Sequence, residues 1–239
     1  MKIRRLHPWD IPRPDAAALQ KTLQGELILT DTEAAARITT IAGADISYAR
    51  HSDLFFAAVV LLSFPDLTIR QEARAVARVS FPYLPGFLSF REGPVLLEAF
   101  AGLAAPPDLI MFDGHGIAHP RGLGLASHLG LFLDRPTIGC AKSRLVGDYR
   151  EPGPEIGAAE PLVFQGRIVG TVLRTKAGVR PVFISPGHRI SLEQAVAVTR
   201  RCCRGYRIPE PVRQAHLAVN RLRASCAENP AGLENFLKN

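Results

Sequence analysis

The four residues Leu109–Phe112, LIMF, carry no polar side chain on either face. A strand of that kind needs cover on both sides, which is the habit of parallel strands wrapped by helices. Directly after it comes DGHGIAHP, residues 113–120, where an acid, two glycines and two histidines crowd one strand end. A turn needs one or two such residues and apolar packing needs none. The junction therefore narrows the fold and raises a question of chemistry.

The rest of the chain reads consistently with it. Ile38 to Tyr48, Leu54 to Phe64 and Thr68 to Val79 look like three strands joined by short connections, an antiparallel meander. A short helix is expected over Ala16 to Leu23. Gly93-Pro94 is predicted to open another through Gly102, since proline suits the first helical position. Leu123 to Phe132 reads as helix and Thr137 to Ala141 as strand. LVFQGRIVGTVLRT and VRPVFIS suggest two or three more strands, with turns at Gln165-Gly166 and Ala177-Gly178. Ser191 and Gln194 form a capping box that opens a helix to about Arg204. A last helix runs from near Pro211 to about Cys226, and residues 229–239 are expected to fray. This order predicts an α/β fold with a central mixed sheet and helices on both faces, in one domain over residues 1–239.

With 47% apolar and 21% charged residues, the chain has the material for a sizeable core. The basic start MKIRRLHPWDIPRP is followed by no apolar stretch of the signal-peptide kind. Leu54 to Leu62, nine residues, is the longest apolar run, against the ~20 needed to span a bilayer. Cys140, Cys202, Cys203 and Cys226 show neither zinc-site spacing nor a disulfide framework. A cytoplasmic protein away from membranes is the expectation. The net charge is +7, carried by 24 Arg and 5 Lys, and seven arginines fall between Arg200 and Arg223 with one acid, Glu210, among them. The cluster reads as a solvated helix face or as a phosphate-attracting surface, guanidinium being a bidentate fork for phosphate oxygens.

Three acids stand in apolar places. Asp45 lies inside IAGADISY and Asp113 ends LIMF, where ligands of α/β sheets gather beyond the carboxyl ends of strands. Glu92 precedes Gly93-Pro94, at an expected helix start that would favour its charge. An unpaired carboxylate in such surroundings costs several kcal/mol. Each has a plain explanation alone: a turn cap, a helix-start charge, a partner arginine for Asp45. Should they converge, they form a hard-oxygen site for Mg²⁺ or Mn²⁺, which take carboxylates together with substrate phosphate. His115 and His119 have the four-residue spacing of zinc ligands on a helix, but Gly114, Gly116 and Pro120 oppose a helix there. The glycines instead suggest a loop whose bare backbone lets a ligand come close. Phe81 to Gly86 sets aromatics between prolines, either a turn or a stiff prong able to stack on a base or fill the gap an extruded one leaves.

Together, PYLPGFLSFREGP, DGHGIAHPRGLGLASH and TIGCAKSRL closely resemble the endonuclease V family of deoxyinosine-directed nucleases. The likeness runs from about Ile41 to RGYRIPEPVRQAH. The resemblance implies an RNase H-like fold and metal-dependent hydrolysis of the second phosphodiester bond 3′ to a hypoxanthine nucleotide, leaving a 3′-hydroxyl and a 5′-phosphate. By motif it implies Asp45 and Asp113 as the main metal carboxylates, with Glu92 completing the set through a bound water. It places His216 beside the attacking water and Lys142 beside the scissile phosphate. Pro82, Tyr83, Leu84 and Pro85 match the family's wedge, Tyr83 being the inserted side chain. Gly86, Leu88, Gly114, Gly116, His119, Gly124 and Leu145 would enclose the flipped base, glycine backbones reading hypoxanthine edges. Mg²⁺ is the implied cofactor, with Mn²⁺ able to substitute.

Two departures stand out. Arg121-Gly122 replaces a pair of arginines common after AHP, and Cys140 replaces a residue that is often valine. The expected partner is DNA containing deoxyinosine, bound by a monomer. Inosine-containing RNA remains an alternative substrate, and a non-catalytic binder of damaged nucleic acid an alternative role. A binder has no use for three acids, however, and arginine-rich, lysine-poor usage leans towards bacterial DNA repair.

Overall fold

In the computed structural model the described residues are 1–32, 37–49, 52–228 and 230–237. Eight strands form one sheet in the order β3-β2-β1-β4-β5-β8-β7-β6. β1 (Thr40–Tyr48), β2 (Leu54–Ser63) and β3 (Ile69–Arg78) are the antiparallel meander that the alternation implied. β4 (Leu109–Phe112) and β5 (Thr137–Ala141) continue beside β1 in parallel. β8 (Val182–His188), β7 (Arg167–Leu173) and β6 (Ala159–Phe164) complete the sheet antiparallel.

Helices cover both faces, as LIMF required. On one face α5 (Glu210–Glu228) and α4 (Leu192–Arg201) bury Val212, Ala215, Ala218 and Val198 against Ile41, Ala58 and Met111. On the other, α2 (Leu88–Ala101) and α3 (Leu125–Leu133) bury Leu96, Phe100 and Leu129 against Ala42, Ala44, Ile110 and Phe112. α1 (Arg13–Gln24) closes the α2 side, and α6 (Pro230–Leu237) follows α5. Among the described residues no helix is long and apolar enough to cross a membrane.

Three local expectations are corrected. α2 begins at Leu88, not at Gly93-Pro94, so Pro94 lies in its interior. The missing N–H leaves the Phe90 carbonyl without its helical donor. Packing outweighs that loss: Phe90, Val95, Leu96 and Phe100 are buried, and Gly93 lies so close to Trp9 that a Cβ would come 2.8 Å from the indole. Glu92 is therefore a buried mid-helix acid rather than a charge at a helix start. Ser191 does cap α4, accepting from Gln194 N at 3.0 Å, but its own N–H goes to Asp31 at 2.8 Å. Last, the expected frayed tail forms α6, with Leu233 and Phe236 packed on the core. Asn229, Lys238 and Asn239 lie outside the described residues.

Candidate active site

Asp45 and Asp113 emerge from neighbouring parallel strands at one level. Ala44 pairs with Phe112, and Asp113 N–H donates to Ala44 O at 3.2 Å. Lys142 directly follows β5, and its ammonium donates to Asp113 Oδ2. The third component comes from α5. Gly43 lets that helix lie on β1, for a Cβ there would sit 1.8 Å from Pro211 O. Strand alternation turns Asp45 to the same face as Gly43, where His216 Nδ1 meets Asp45 Oδ2 at 2.8 Å. Asn220 Nδ2 lies 3.1 Å from His216 Nε2. An amide nitrogen only donates, so Nε2 accepts and Nδ1 carries the hydrogen given to Asp45.

Asp45, Asp113 and His216 each offer one ligand atom, all within 4.8 Å of one another. Burial, then the charge of Asp113, pushes the Asp45 carboxyl up to about 6, while His216 and Lys142 pull the other way. Glu92 is pushed up to about 8, by burial first and then by Asp45 and Asp113. Burial and mutual repulsion outweigh the positive charge that Lys142 brings, and a divalent cation on the carboxylate oxygens would add to it. Glu92 is outside the three-residue cluster. It arrives on α2 from the opposite face of the sheet, and the charges of Asp45 and Asp113 reach it there. The arginine partner considered for Asp45 is a histidine instead.

Beside the cluster lies a cavity of about 240 Å³, below the ~300 Å³ of the smallest drug-sized pockets and so suited to one ring system. Gly86, Leu88, Gly114, His119, Gly124 and Leu145 line it as expected, together with Tyr83, Leu84 and Pro85. Gly86 has φ +78°, open to glycine at no steric cost. Its carbonyl accepts from Gln20 Nε2 at 3.0 Å, His119 Nε2 at 3.0 Å and Arg121 Nη2 at 2.5 Å. Arg121 N donates to His119 Nδ1 at 3.1 Å, which leaves Nε2 as the protonated nitrogen.

Gly116 is not on the cavity wall. Its space is taken by protein, since a Cβ there would meet Pro186 O at 2.1 Å, and its N–H donates to Ser185 Oγ at 2.8 Å. Pro82 also stands apart from the lining. Sequence reasoning did not assign Ser89, Leu123, Leu125, Ser143 or Arg144 to the pocket, and weighed His115 only as a zinc ligand, yet all six are in the wall. Ser143 and Arg144 sit between two residues that were named, Lys142 and Leu145. Their place in the chain was the available signal.

Both wall histidines are neutral. Burial lowers His115 to about 4, opposed by Ser143 O and Asp113; burial and Arg121 lower His119 to about 4. His115 Nε2 donates to Ser143 O at 3.0 Å, which leaves Nδ1 a buried acceptor with no partner among the described residues. Behind Ser89 runs a chain of bonds to the N-terminal segment. His7 Nδ1 donates to Pro8 O at 2.7 Å, His128 Nε2 lies 2.7 Å from His7 Nε2, and His128 Nδ1 lies 2.8 Å from Ser89 Oγ. Burial lowers both imidazoles. With both neutral, His128 Nε2–H donates to His7 and Ser89 O–H donates to His128 Nδ1.

The arginine cluster is largely structural. Arg200, Arg204, Arg207 and Arg223 donate to backbone carbonyls. Arg213 and Arg221 meet Glu210 and Glu72. Arg201 covers the Phe64 ring at 4.3 Å. These contacts fasten the C-terminal helices and their loop to the sheet while keeping the positive charge.

Comparison with known proteins points one way. Residues 21–217 match the family described as Endonuclease V. The endonuclease V of Dehalococcoides mccartyi strain BAV1 is 50% identical over 222 residues, 93% of this chain and 99% of the relative. The crystal structure of the Bacillus subtilis endonuclease V superposes with a TM-score of 0.91 at 32% identity, over 96% of this chain and 100% of that one. The endonuclease V of Ciona intestinalis, in complex with a 24mer DNA containing an inosine followed by a ribo-adenosine, superposes with a TM-score of 0.78 at 26% identity, over 89% and 98%.

Proposed function

The chain belongs to the endonuclease V family, and from that premise we propose that it recognises deoxyinosine in DNA by drawing the base out of the duplex. It then hydrolyses the second phosphodiester bond on the 3′ side, leaving a 3′-hydroxyl and a 5′-phosphate. Residues 1–239 act as one nuclease domain. The observation that carries this reading is an adjacency. A neutral, hydrogen-bonding cavity and a crowded acid cluster meet at Lys142 and Ser143, the first bonded to Asp113 and the second lining the cavity.

The cavity suits a deaminated purine. Hypoxanthine presents an N–H where adenine has a bare nitrogen, and a carbonyl where adenine has an amino group. The backbone groups of Gly114 and Gly124 and the imidazole of His119 stand in the lining beside which those edges would lie. Tyr83, 63% exposed at the cavity mouth, fills the gap the base leaves. Inosine pairs more weakly than a normal base, which makes extrusion easier.

Asp45 and Asp113 would hold a divalent ion, Mg²⁺ with Mn²⁺ able to replace it. Such an ion supplies charge neutralisation at the phosphate and at the leaving 3′-oxygen. Lys142 adds positive charge at the same phosphate. His216, oriented by Asp45, and Glu92, its carboxyl raised to about 8, flank the attacking water.

The test is strand cleavage of end-labelled duplex DNA carrying one deoxyinosine, with Mg²⁺, beside an undamaged control. A single nick one nucleotide beyond the lesion on its 3′ side is expected. Intact strands from folded protein with either Mg²⁺ or Mn²⁺ would remove the proposal. The inosine and ribo-adenosine bound by the Ciona relative favour a second reading, in which a ribonucleotide follows the lesion. The same assay with that one sugar exchanged compares the two.

A further inference from the structure

Across Ser143 and Arg144 from the base cavity lies a second cleft of about 240 Å³. Lys142, Ser143, Arg144, Tyr149, Arg180 and Phe183 line it. Three of these six are cationic. Glu151 also lines it and is engaged by Arg174 Nη2 at 2.7 Å; Arg144 Nη1 meets the exposed Asp148 at 3.1 Å, and among the described residues no carboxylate pairs with Arg180. Phe183 holds the Tyr149 ring edge-to-face, centroids 5.3 Å apart at 79°. The Arg144 guanidinium stands 5.9 Å from the Tyr149 centroid. Arg207 ties the rims together, donating to Lys142 O at 2.5 Å on one side and to Arg180 O and Pro181 O at 2.9 and 3.0 Å on the other. The cleft is thus built in advance, with an aromatic wall and a cationic rim.

Resting on the proposed function, we infer that this cleft receives the nucleotide between the lesion and the cut bond, its base against Tyr149 and its phosphate charge met by Arg144 and Arg180. That nucleotide is joined on its 5′ side to the sugar of the extruded base. On its 3′ side it carries the phosphate to be cut. A holder for it must border both places. This cleft does so, sharing Ser143 and Arg144 with the base cavity and Lys142 with the acid cluster. Cationic side chains beside an aromatic face are the usual means of holding single-stranded nucleic acid without reading its sequence. The arrangement gives a physical cause for a cut displaced one nucleotide from the lesion.

The experiment compares kcat/KM on deoxyinosine duplexes with an abasic analogue at the first or the second nucleotide 3′ of the lesion. The first position is expected to slow wild-type protein about tenfold, the scale of one lost base–aromatic stack, and the second far less. In Tyr149→Ala the penalty at the first position collapses to less than about twofold, whereas Tyr149→Phe retains it. Arg180→Ala weakens both substrates by one common factor, because a phosphate contact does not sense the base. Equal penalties at the two positions, or a full penalty persisting in Tyr149→Ala, overturn the inference. Should Tyr149→Ala fail to fold, the wild-type contrast decides it. Wild-type protein that leaves every deoxyinosine duplex intact defeats the proposed activity and the cleft with it; nicking without positional contrast defeats the cleft alone.

Discussion

The acid cluster and the glycine-lined cavity lie side by side, and burial acts on them in opposite senses. In the cluster it pushes Asp45 and Glu92 up, to about 6 and about 8. In the cavity wall it pushes His115 and His119 down, each to about 4. Both results favour the uncharged form, yet they leave different needs. Crowded carboxylates are relieved by a cation. Neutral imidazoles need none and serve as fixed donors and acceptors. The contrast separates a place where a cation would relieve crowded acids from one lined by neutral donors and acceptors, a few residues apart.

Removing the charge partner is the most severe way to break the contrast. Asp45→Ala takes a carboxylate from the cluster and frees His216. It is expected to abolish cleavage, by at least about 10³-fold on the scale of one lost transition-state contact. Folding, checked by circular dichroism, and much of the DNA binding should persist. Cleavage by the purified variant at a near wild-type rate would refute the assignment.

A smaller effect concerns stability. Asp45 and Glu92 hold protons in the fold that the unfolded chain has already released, so they lower metal-free stability as pH rises from about 4 through about 6 and about 8. His115 and His119 do the reverse. The unfolded chain binds their protons first, so they add stability as pH rises from about 4 to 6.5. One fixed Mg²⁺ concentration should therefore stabilise the protein more at pH 8 than at pH 6, by about 2.7 kcal/mol at pH 8 when it is a hundred times the Kd there, read as a larger rise in Tm. Equal rises at both pH values, or an equal rise in Asp45→Ala, would count against a metal held by these acids.

The least effect should come from Ser89→Ala, which leaves the buried Nδ1 of His128 without its donor. An unpaired buried acceptor costs ~1–3 kcal/mol, or a Tm lower by about 2–12 °C in a chain of this size. Calorimetry that finds Tm unchanged would mean that the chain from His7 to Ser89 is not a connected unit.

The elements that periodicity announces were legible. LIMF, the meander and the strand before Lys142 stand where alternation and apolar runs put them, because a side chain facing a sheet's cover is chosen by local pattern. Contacts that join distant segments were not legible in that way. Pro94 looked like a helix start because the sequence does not reveal the grip of Trp9 on Gly93. Gly116 looked like ligand space, although Pro186, seventy residues along, fills it. His7 carried no signal until α3 brought His128 beside it.

For the site itself, the sequence alone determined the chemical types and, through family motifs, the residues to watch: Asp45, Glu92, Asp113, Lys142, His216 and the glycine-rich loop. The tertiary structure decided which of them meet. It set His216 rather than Glu92 within ligand reach of the two aspartates, since α5 can rest on Gly43 while α2 approaches from the other face. It also turned most of the arginine cluster inward, to carbonyls, carboxylates and a ring. Residue type follows from local chemistry, but partnership depends on chain segments far apart in sequence, and only packing brings those together.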